Sequence, residues 1–370
     1  MRILFVNSLR TIGGGERWLL EVDEGLCARG HRTAFAVRQG GELGRLLREK
    51  GSTVLELPMR GDGDVPSIVG LSRWIREIGI DLVSVNVQRA VRIGAPAARA
   101  AGVRAVVERR GLLFPLKPSA LNRFIYGRLV SRVIANCDAI RRDLLETGLL
   151  PDERVSVIPN GIDAGRVRAG GGAAVRRELG LDGGAQIVAV IGRLGPDKGH
   201  RIAIKAFADV LRARPEARLL IAGAGHLGEE LERFTAELLP DGAAYFLGHR
   251  DDVGAILDAA DAVLVTSFRE GMPHVVLEAM AAGTPVVATA VAGIPEMIED
   301  GRDGILIPAG SHTAASAAVE RALADPPAAA DRAASARRRV ETDFGLELMV
   351  DRVERCFAAE IETAGRGSVA

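Results

Sequence analysis

The chain is poor in cysteine. Cys27, Cys137 and Cys356 are far apart and odd in number, which excludes a disulfide-stapled scaffold and matches no thiolate metal spacing. No apolar run reaches the roughly eighteen residues of a membrane-spanning helix. Neither charge is in surplus: 48 Lys and Arg against 48 Asp and Glu give a formal net charge of zero. A long-range basic field for nucleic acid is therefore not expected. Met1 leads directly into the strand-like Arg2-Ile-Leu-Phe-Val-Asn7, without the basic and apolar regions of a signal peptide. Unpaired cysteines and no leader predict a cytoplasmic protein.

What is present is an ordinary globular composition, 48% hydrophobic and 26% charged over 370 residues. That length exceeds what one hydrophobic core usually serves, so two domains are expected. Short β-branched runs alternate with stretches of helical period. The expected strands of a first series are Ile3–Asn7, Thr33–Val37, Thr53–Leu57, Leu82–Asn86, Ala105–Val107, Val133–Asn136 and Val155–Ile158. A second series comprises Ile187–Ile191, Leu219–Ala222, Tyr245–Leu247, Ala262–Thr266, Val286–Ala288 and Ile305–Ile307. Apolar strands alternating with helices predict parallel sheets covered on both faces, hence an α/β fold of two doubly wound Rossmann-like domains. Between the series, Ala164–Gly172 reads AGRVRAGGG and has no apolar period, as suits a linker. The expected divisions are 1–163, a linker and restart over 164–185, a second domain over 186–340, and a tail over 341–370. In that tail Glu341–Ile361 reads as one helix, with Phe344, Leu348, Met349, Val353 and Phe357 as its apolar stripe, packing back towards the first domain.

In open α/β sheets, ligands bind beyond the carboxyl ends of strands, where helix N-termini offer N–H groups and a positive dipole. Four such places stand out. Gly13, Gly14 and Gly15 follow the first strand and open a helix, allowing close backbone approach to an anion. Ile191-Gly-Arg-Leu-Gly-Pro-Asp-Lys-Gly199 carries Arg193 and Lys198, two cations suited to clamping a diphosphate. Ser267-Phe-Arg-Glu-Gly-Met-Pro-His-Val-Val-Leu-Glu278 places Glu270 on a loop and Glu278 within an apolar helix, with Pro273 in its first turn. A buried carboxylate there needs donors, and sugar hydroxyls are suitable ones. Gly223-Ala-Gly-His-Leu-Gly228 formally matches a dinucleotide fingerprint. It lacks an acidic residue after the next strand, so a tight turn with close packing is the favoured reading.

Taken together, these residues resemble the retaining glycosyltransferases of family 4, whose two-domain architecture is called GT-B. The resemblance covers nearly the whole chain. It rests on Gly13-Gly-Gly-Glu16, Ile158-Pro-Asn-Gly-Ile-Asp163, the Gly192-Arg193…Lys198-Gly199 loop, Glu270-Gly271…Glu278-Ala-Met280 and the tail Phe344–Phe357. The resemblance implies two domains facing across a cleft and a nucleoside diphosphate sugar as co-substrate, with no other cofactor and no metal. Arg193 and Lys198 would hold the pyrophosphate, Glu278 the ribose, and Glu270 the hydroxyls of the donor sugar. Backbone groups of Gly271, Met272, Pro273, His274 and Val275 would face that sugar and the β-phosphate, and Gly248 and His249 would bracket the base. The loop Gly13–Gly15 would close on the phosphates and acceptor.

One departure is evident. Family members commonly carry histidines where Ser84, Asn86 and Arg110 stand, and His31 is the only histidine of the first half. Arg110, beside Arg109, is expected to take over a catalytic contact to an anionic group, the alternative being a salt bridge to Glu108 or a surface acid. It cannot serve as a base at neutral pH. From Arg104 to Arg142 there are nine Lys and Arg against two acids, Glu108 and Asp138. Leu112, Leu113, Phe114, Phe124 and Tyr126 are interleaved, so residues 104–142 are a candidate peripheral membrane contact or anionic-acceptor surface. The expected partners are a sugar nucleotide and a glycan, lipid-linked or small acceptor, in cell-envelope polysaccharide or glycolipid synthesis. Two rival readings are a nicotinamide oxidoreductase using Gly223–Gly228 and a non-catalytic sugar-nucleotide-binding protein.

Overall fold

A computed structural model describes residues 1–167, 170–181 and 184–366. Positions 168–169 of the expected linker, 182–183, and the end of the tail at 367–370 lie outside the described residues. The chain divides into two compact units. The first is Met1–Asn160 with Leu346–Ala370, and the second is Gly161–Gly345.

The first unit holds a seven-stranded sheet of β1 (Arg2–Asn7), β2 (Arg32–Arg38), β3 (Val54–Leu57), β4 (Leu82–Asn86), β5 (Ala105–Arg110), β6 (Arg132–Ala135) and β7 (Val155–Val157), in the order β3-β2-β1-β4-β5-β6-β7. All pairings are parallel. β4 and β5 are buried along their whole length, as a central strand covered on both faces must be. The order reverses between β1 and β4. Phe5 stacks on Phe35 at 5.6 Å between ring centroids, and Phe357 of the C-terminal helix lies 6.5 Å from Phe5. That helix shares the core with Trp18, Leu19, Val22 and Leu26 through Met349, Val350, Val353 and Phe357. Arg29 and His31 anchor it through its Glu354 at 2.6 and 2.7 Å.

The second unit has six strands, β8 (Ile187–Ile191), β9 (Arg218–Ala222), β10 (Ala244–Gly248), β11 (Ala262–Val265), β12 (Val286–Thr289) and β13 (Ile305–Ile307), in the order β10-β9-β8-β11-β12-β13. Its pairings are also all parallel, and its order reverses between β8 and β11. Val188, Val190, Phe207, Leu219, Ile221 and Leu264 are among the residues of its core.

The thirteen expected strands are present, with ends shifted by at most one residue except in β5. β5 differs most, because it continues through Glu108, Arg109 and Arg110. Charged residues disfavour strand on propensity alone, but pairing with β4 and β6 on both sides overrides it. The single helix expected over Glu341–Ile361 is instead two, Pro326–Asp343 and Leu346–Arg366. The chain breaks at Phe344–Gly345, where glycine weakens a helix and the Phe344 carbonyl accepts the Ile162 N–H at 2.8 Å. The observed boundary also falls at Asn160/Gly161 and Gly345/Leu346, rather than at 163 and 340.

Candidate functional site

In the second unit, the loop after β8 and the loop after β11 meet at the switch point. A Cβ on Gly199 (φ +68°) would lie 2.1 Å from the Thr266 carbonyl oxygen, so only glycine lets the two backbones touch. Thr266 Oγ1 donates to the carbonyls of Lys198 and Gly199 at 3.2 and 3.0 Å. The Phe268 N–H donates to the Asp197 carbonyl at 2.8 Å. On this clamp Lys198 Nζ donates to Glu270 Oε1 at 2.6 Å, and Ser267 Oγ donates to the same oxygen at 2.7 Å. Glu270 is 4% exposed, whereas the Lys198 side chain is 23% exposed. The carboxylate is buried with donors on it, and the cation still reaches solvent.

The other expected residues distribute around this contact. Arg193 lies on the surface of the β8 loop, paired with Asp197 at 2.6 Å. The Gly271 carbonyl accepts the Gly293 N–H at 3.1 Å, and Met272 is buried. Pro273, expected within the helix, caps it with extended backbone; the helix is His274–Ala282. Its positive end, at His274 and Val275, therefore begins four residues after Glu270. Glu278 is the fifth residue of that helix and is buried. Gly248, with φ +64°, accepts the Gly223 N–H at 2.7 Å through its carbonyl. His249 is exposed and 3.4 Å from Asp251, after the edge strand β10, which β9 separates from β8.

The glycines of Gly223–Gly228 have a packing explanation. A Cβ on Gly223 would lie 1.9 Å from the Gly192 oxygen, and one on Gly225 would lie 2.2 Å from that of Leu194. The Leu194 N–H donates to the Ala224 carbonyl at 3.0 Å, and the Leu194 carbonyl accepts the Leu227 N–H at 3.3 Å. This turn buttresses the loop that carries Arg193 and Lys198.

His200 was not singled out in the sequence. It follows Gly199, is 3% exposed, and neither ring nitrogen has a hydrogen-bond partner. Burial, then the Lys198 charge, push its pKa down to about 4. The available signal was its place on the inward stripe with Ala203, Ile204 and Phe207.

In the first unit, Gly13 caps helix Gly14–Ala28. Glu16, fully buried, accepts the Gly13 N–H at 2.9 Å and Asn7 Nδ2 at 2.7 Å. Asn86 Nδ2 donates to the Gly15 carbonyl at 3.0 Å. The glycine loop is thereby tied to the ends of β1 and β4. Arg109 also approaches it: its guanidinium lies 5.1 Å over the Trp18 ring and donates to Asn160 Oδ1 at 3.0 Å. Burial lowers its pKa to about 10.

At Arg110 the structure shows the pairing with Glu108. Arg110 is the last residue of β5, is buried, lies 3.5 Å from Glu108 Oε1, and also donates to the Phe114 carbonyl. Side chains alternate along a strand, so Glu108 and Arg110 share one face and Arg109 takes the other. Burial raises the Glu108 pKa against the opposing Arg110 charge. Burial and the Glu108 charge also raise that of Tyr126.

The nine cations of 104–142 do not form one patch. Arg109 and Arg110 are buried; Arg132 pairs with Glu360 at 2.6 Å, Arg141 with Asp152 at 2.6 Å and Arg142 with Asp138 at 3.5 Å. Lys117, Arg123 and Arg128 are exposed beside exposed Phe114, Leu121 and Phe124, while Tyr126 is core. No described helix is long and apolar enough to cross a membrane. Among the described residues no group of three or more His, Cys, Asp or Glu side chains is placed to hold a metal ion.

Two doubly wound parallel units are the architecture of the GT-B fold, which this chain shares with solved glycosyltransferase structures. Residues 12–166 match the family described as Glycosyltransferase Family 4, and residues 173–339 match Glycosyl transferases group 1. The Family 4 match thus falls almost wholly in the first unit and the group 1 match in the second. It is 36% identical over 234 residues to a D-inositol 3-phosphate glycosyltransferase of Segniliparus rotundus, covering 58% of this chain and 50% of that protein. The chain thus spans about half the length of the curated relatives it matches. It is similar in structure to HepE of Anabaena in complex with UDP and glucose, with a TM-score of 0.84, 25% identity, and coverage of 97% of this chain and 100% of that one. A glycosyltransferase from Rickettsia africae shares the fold, with a TM-score of 0.84 at 17% identity over 97% and 98% of the two chains.

Proposed function

We propose that the chain is a retaining, metal-independent glycosyltransferase that moves a sugar from a nucleoside diphosphate sugar to an acceptor hydroxyl. The observation that carries this reading is the Lys198–Glu270 contact at the switch point of the second unit, beside the positive end of helix His274–Ala282. The likeness to HepE favours UDP as the nucleotide.

The bond between the anomeric carbon and the β-phosphate oxygen breaks with its electron pair on the phosphate. Lys198, Arg193 and the helix end stabilise that charge as donors already in place at the strand ends. The Glu270 carboxylate orients the sugar hydroxyls and favours positive charge on the ring. The acceptor oxygen attacks the same face, forms the new bond to the anomeric carbon, and passes its proton to the departing phosphate. Glu278 binds the ribose, Gly248 and His249 bracket the base, and Gly13–Gly15 serve the phosphates and acceptor. The acceptor is a glycan, a lipid-linked sugar or a small molecule of cell-envelope synthesis, reached at the inner face of the membrane. Phe114, Leu121 and Phe124 with Lys117, Arg123 and Arg128 match an anionic lipid surface in polarity and charge.

Calorimetry with UDP, GDP and ADP and turnover of their glucose conjugates test the reading. UDP should bind, and Glu278→Ala should weaken binding by about 2–4 kcal/mol, the scale for losing a charged hydrogen-bond partner. EDTA should leave turnover intact. Unchanged nucleotide affinity in Glu278→Ala removes that assignment, and loss of turnover in EDTA that Mg²⁺ restores removes the metal-free mechanism.

A further inference from the structure

The ends of β1, β2 and β4 in the first unit enclose a cavity of about 420 Å³ on the flank of its switch point. Arg10, Arg38 and Arg89 line it. Among the described residues none of the three forms an ion pair with a carboxylate, and the Nε atoms of Arg38 and Arg89 are buried without a hydrogen-bond partner. The one acid in the lining, Asp62, is engaged by Arg92. Desolvation, then the charges of Arg10 and Arg89, lower the Arg38 pKa, so the three guanidinia are close enough to repel one another. Val87 also lines the cavity and is held at φ +72°, a conformation costly for a β-branched residue. It sets helix Gln88–Ala100 with its positive end at the cavity.

Three like charges gathered without a counter-charge raise the free energy of the empty state, and an anionic ligand relieves that cost. We propose that this cavity binds a phosphate monoester, which, given the glycosyl-transfer reading above, is carried by the acceptor. Guanidinium forks match phosphate oxygens in pairs, and a dianion with three terminal oxygens engages three cations where a carboxylate offers two oxygens and one charge. The cavity is thus an acceptor-phosphate subsite, built wholly from the first unit.

The test is calorimetry on the full chain at low salt and pH 8, with saturating UDP to fill the nucleotide site. The probes are inorganic phosphate and glycerol 3-phosphate, against glycerol and acetate. Both phosphates should bind and both controls should not. Arg38→Gln and Arg89→Gln, each with an unchanged melting temperature, should weaken phosphate binding about tenfold or more, the scale of one charged hydrogen bond. Arg89→Lys, which keeps the charge without the fork, should fall between. Equal affinity in wild type and both Gln variants overturns the proposal. So does acetate binding as tightly as phosphate, or phosphate binding that UDP abolishes. UDP bound with no phosphate binding ends this inference alone. Failure of UDP to bind ends the glycosyl-transfer reading, while the Arg variants still decide whether the cavity takes phosphate.

Discussion

The two units share a topology but place charge differently at equivalent points. At the switch of the second unit, Lys198 sits on the buried Glu270 yet remains open to solvent, with Arg193 free of the core on the same loop. At the switch of the first, Glu16 is enclosed by Asn7 and the Gly13 N–H, and Asn86 closes on Gly15. Arg109 and Arg110 beside it are buried on Trp18 and Glu108. In one unit charge at the strand ends is available for a ligand; in the other it mostly holds the loop to the sheet. The exception in the first unit is Arg10, Arg38 and Arg89, which lie on the flank and have no carboxylate partner among the described residues.

The largest effect should come from breaking the buried pair of the first unit. Arg110→Ala leaves Glu108 enclosed without its cation, and unfolding by denaturant should show a loss of about 3–5 kcal/mol at neutral pH. Burial already raises the Glu108 pKa, and removing Arg110 raises it further. A carboxyl raised in the folded state favours folding below its unfolded pKa, and that benefit is lost as pH rises through the folded value. The deficit of the variant should therefore shrink towards pH 5 and grow towards pH 8. A deficit independent of pH contradicts the pairing.

Lys198→Ala in the second unit should cost less stability than Arg110→Ala, because Ser267 still donates to Glu270 and the site opens to solvent at Lys198, and should lower turnover by about 10²–10³-fold, the scale of one electrostatic stabiliser. Arg193→Ala should lower turnover on the same scale while changing stability by about 0–1 kcal/mol, as an exposed pair does. Steady-state kinetics with denaturation curves on the same samples separate the two effects. Comparable losses of stability in Lys198→Ala and Arg110→Ala would erase the contrast between the units.

His200 sharpens the comparison from inside the site. Its folded pKa of about 4 lies below the ordinary histidine value of about 6.5. Its contribution is complete above pH 6.5 and is lost as pH falls through 4, because the unfolded chain takes up a proton that the folded one refuses. Relative to His200→Leu, the wild type should lose about 3 kcal/mol between pH 7 and pH 4. Parallel pH–stability curves for the two proteins would remove the effect. The smallest change belongs to the exposed patch. Replacing Lys117, Arg123 or Arg128 by Gln should weaken sedimentation with phosphatidylserine vesicles by about 1 kcal/mol each, with catalysis on a soluble acceptor unchanged. Equal sedimentation of all variants ends the lipid-surface reading.

Much of the molecule was legible residue by residue. Apolar runs such as Ile187–Ile191 and Leu82–Asn86 specify buried parallel strands because both of their faces must be covered. The spacing from Glu270 to Glu278 specifies a loop carboxylate and a helix carboxylate, because Pro273 ends the extended segment between them. Even the Glu108–Arg110 pair was readable from strand alternation, once β5 is known to reach Arg110. Whether β5 reaches that far was not, because pairing with β4 and β6 outweighs the low strand propensity of three charged residues.

The sequence by itself determined the alternation of strand and helix, the two series, and the glycine and charged loops after β1, β8 and β11, all of which rest on local periodicity and backbone freedom. Only the tertiary structure decided that Lys198 touches Glu270, 72 positions away, that Arg109 rather than Arg110 approaches Gly15, and that Arg10, Arg38 and Arg89 share a cavity. Those neighbours depend on strand order, which the chain settles by burying two whole sheets at once. No local pattern encodes which strand ends will then lie side by side.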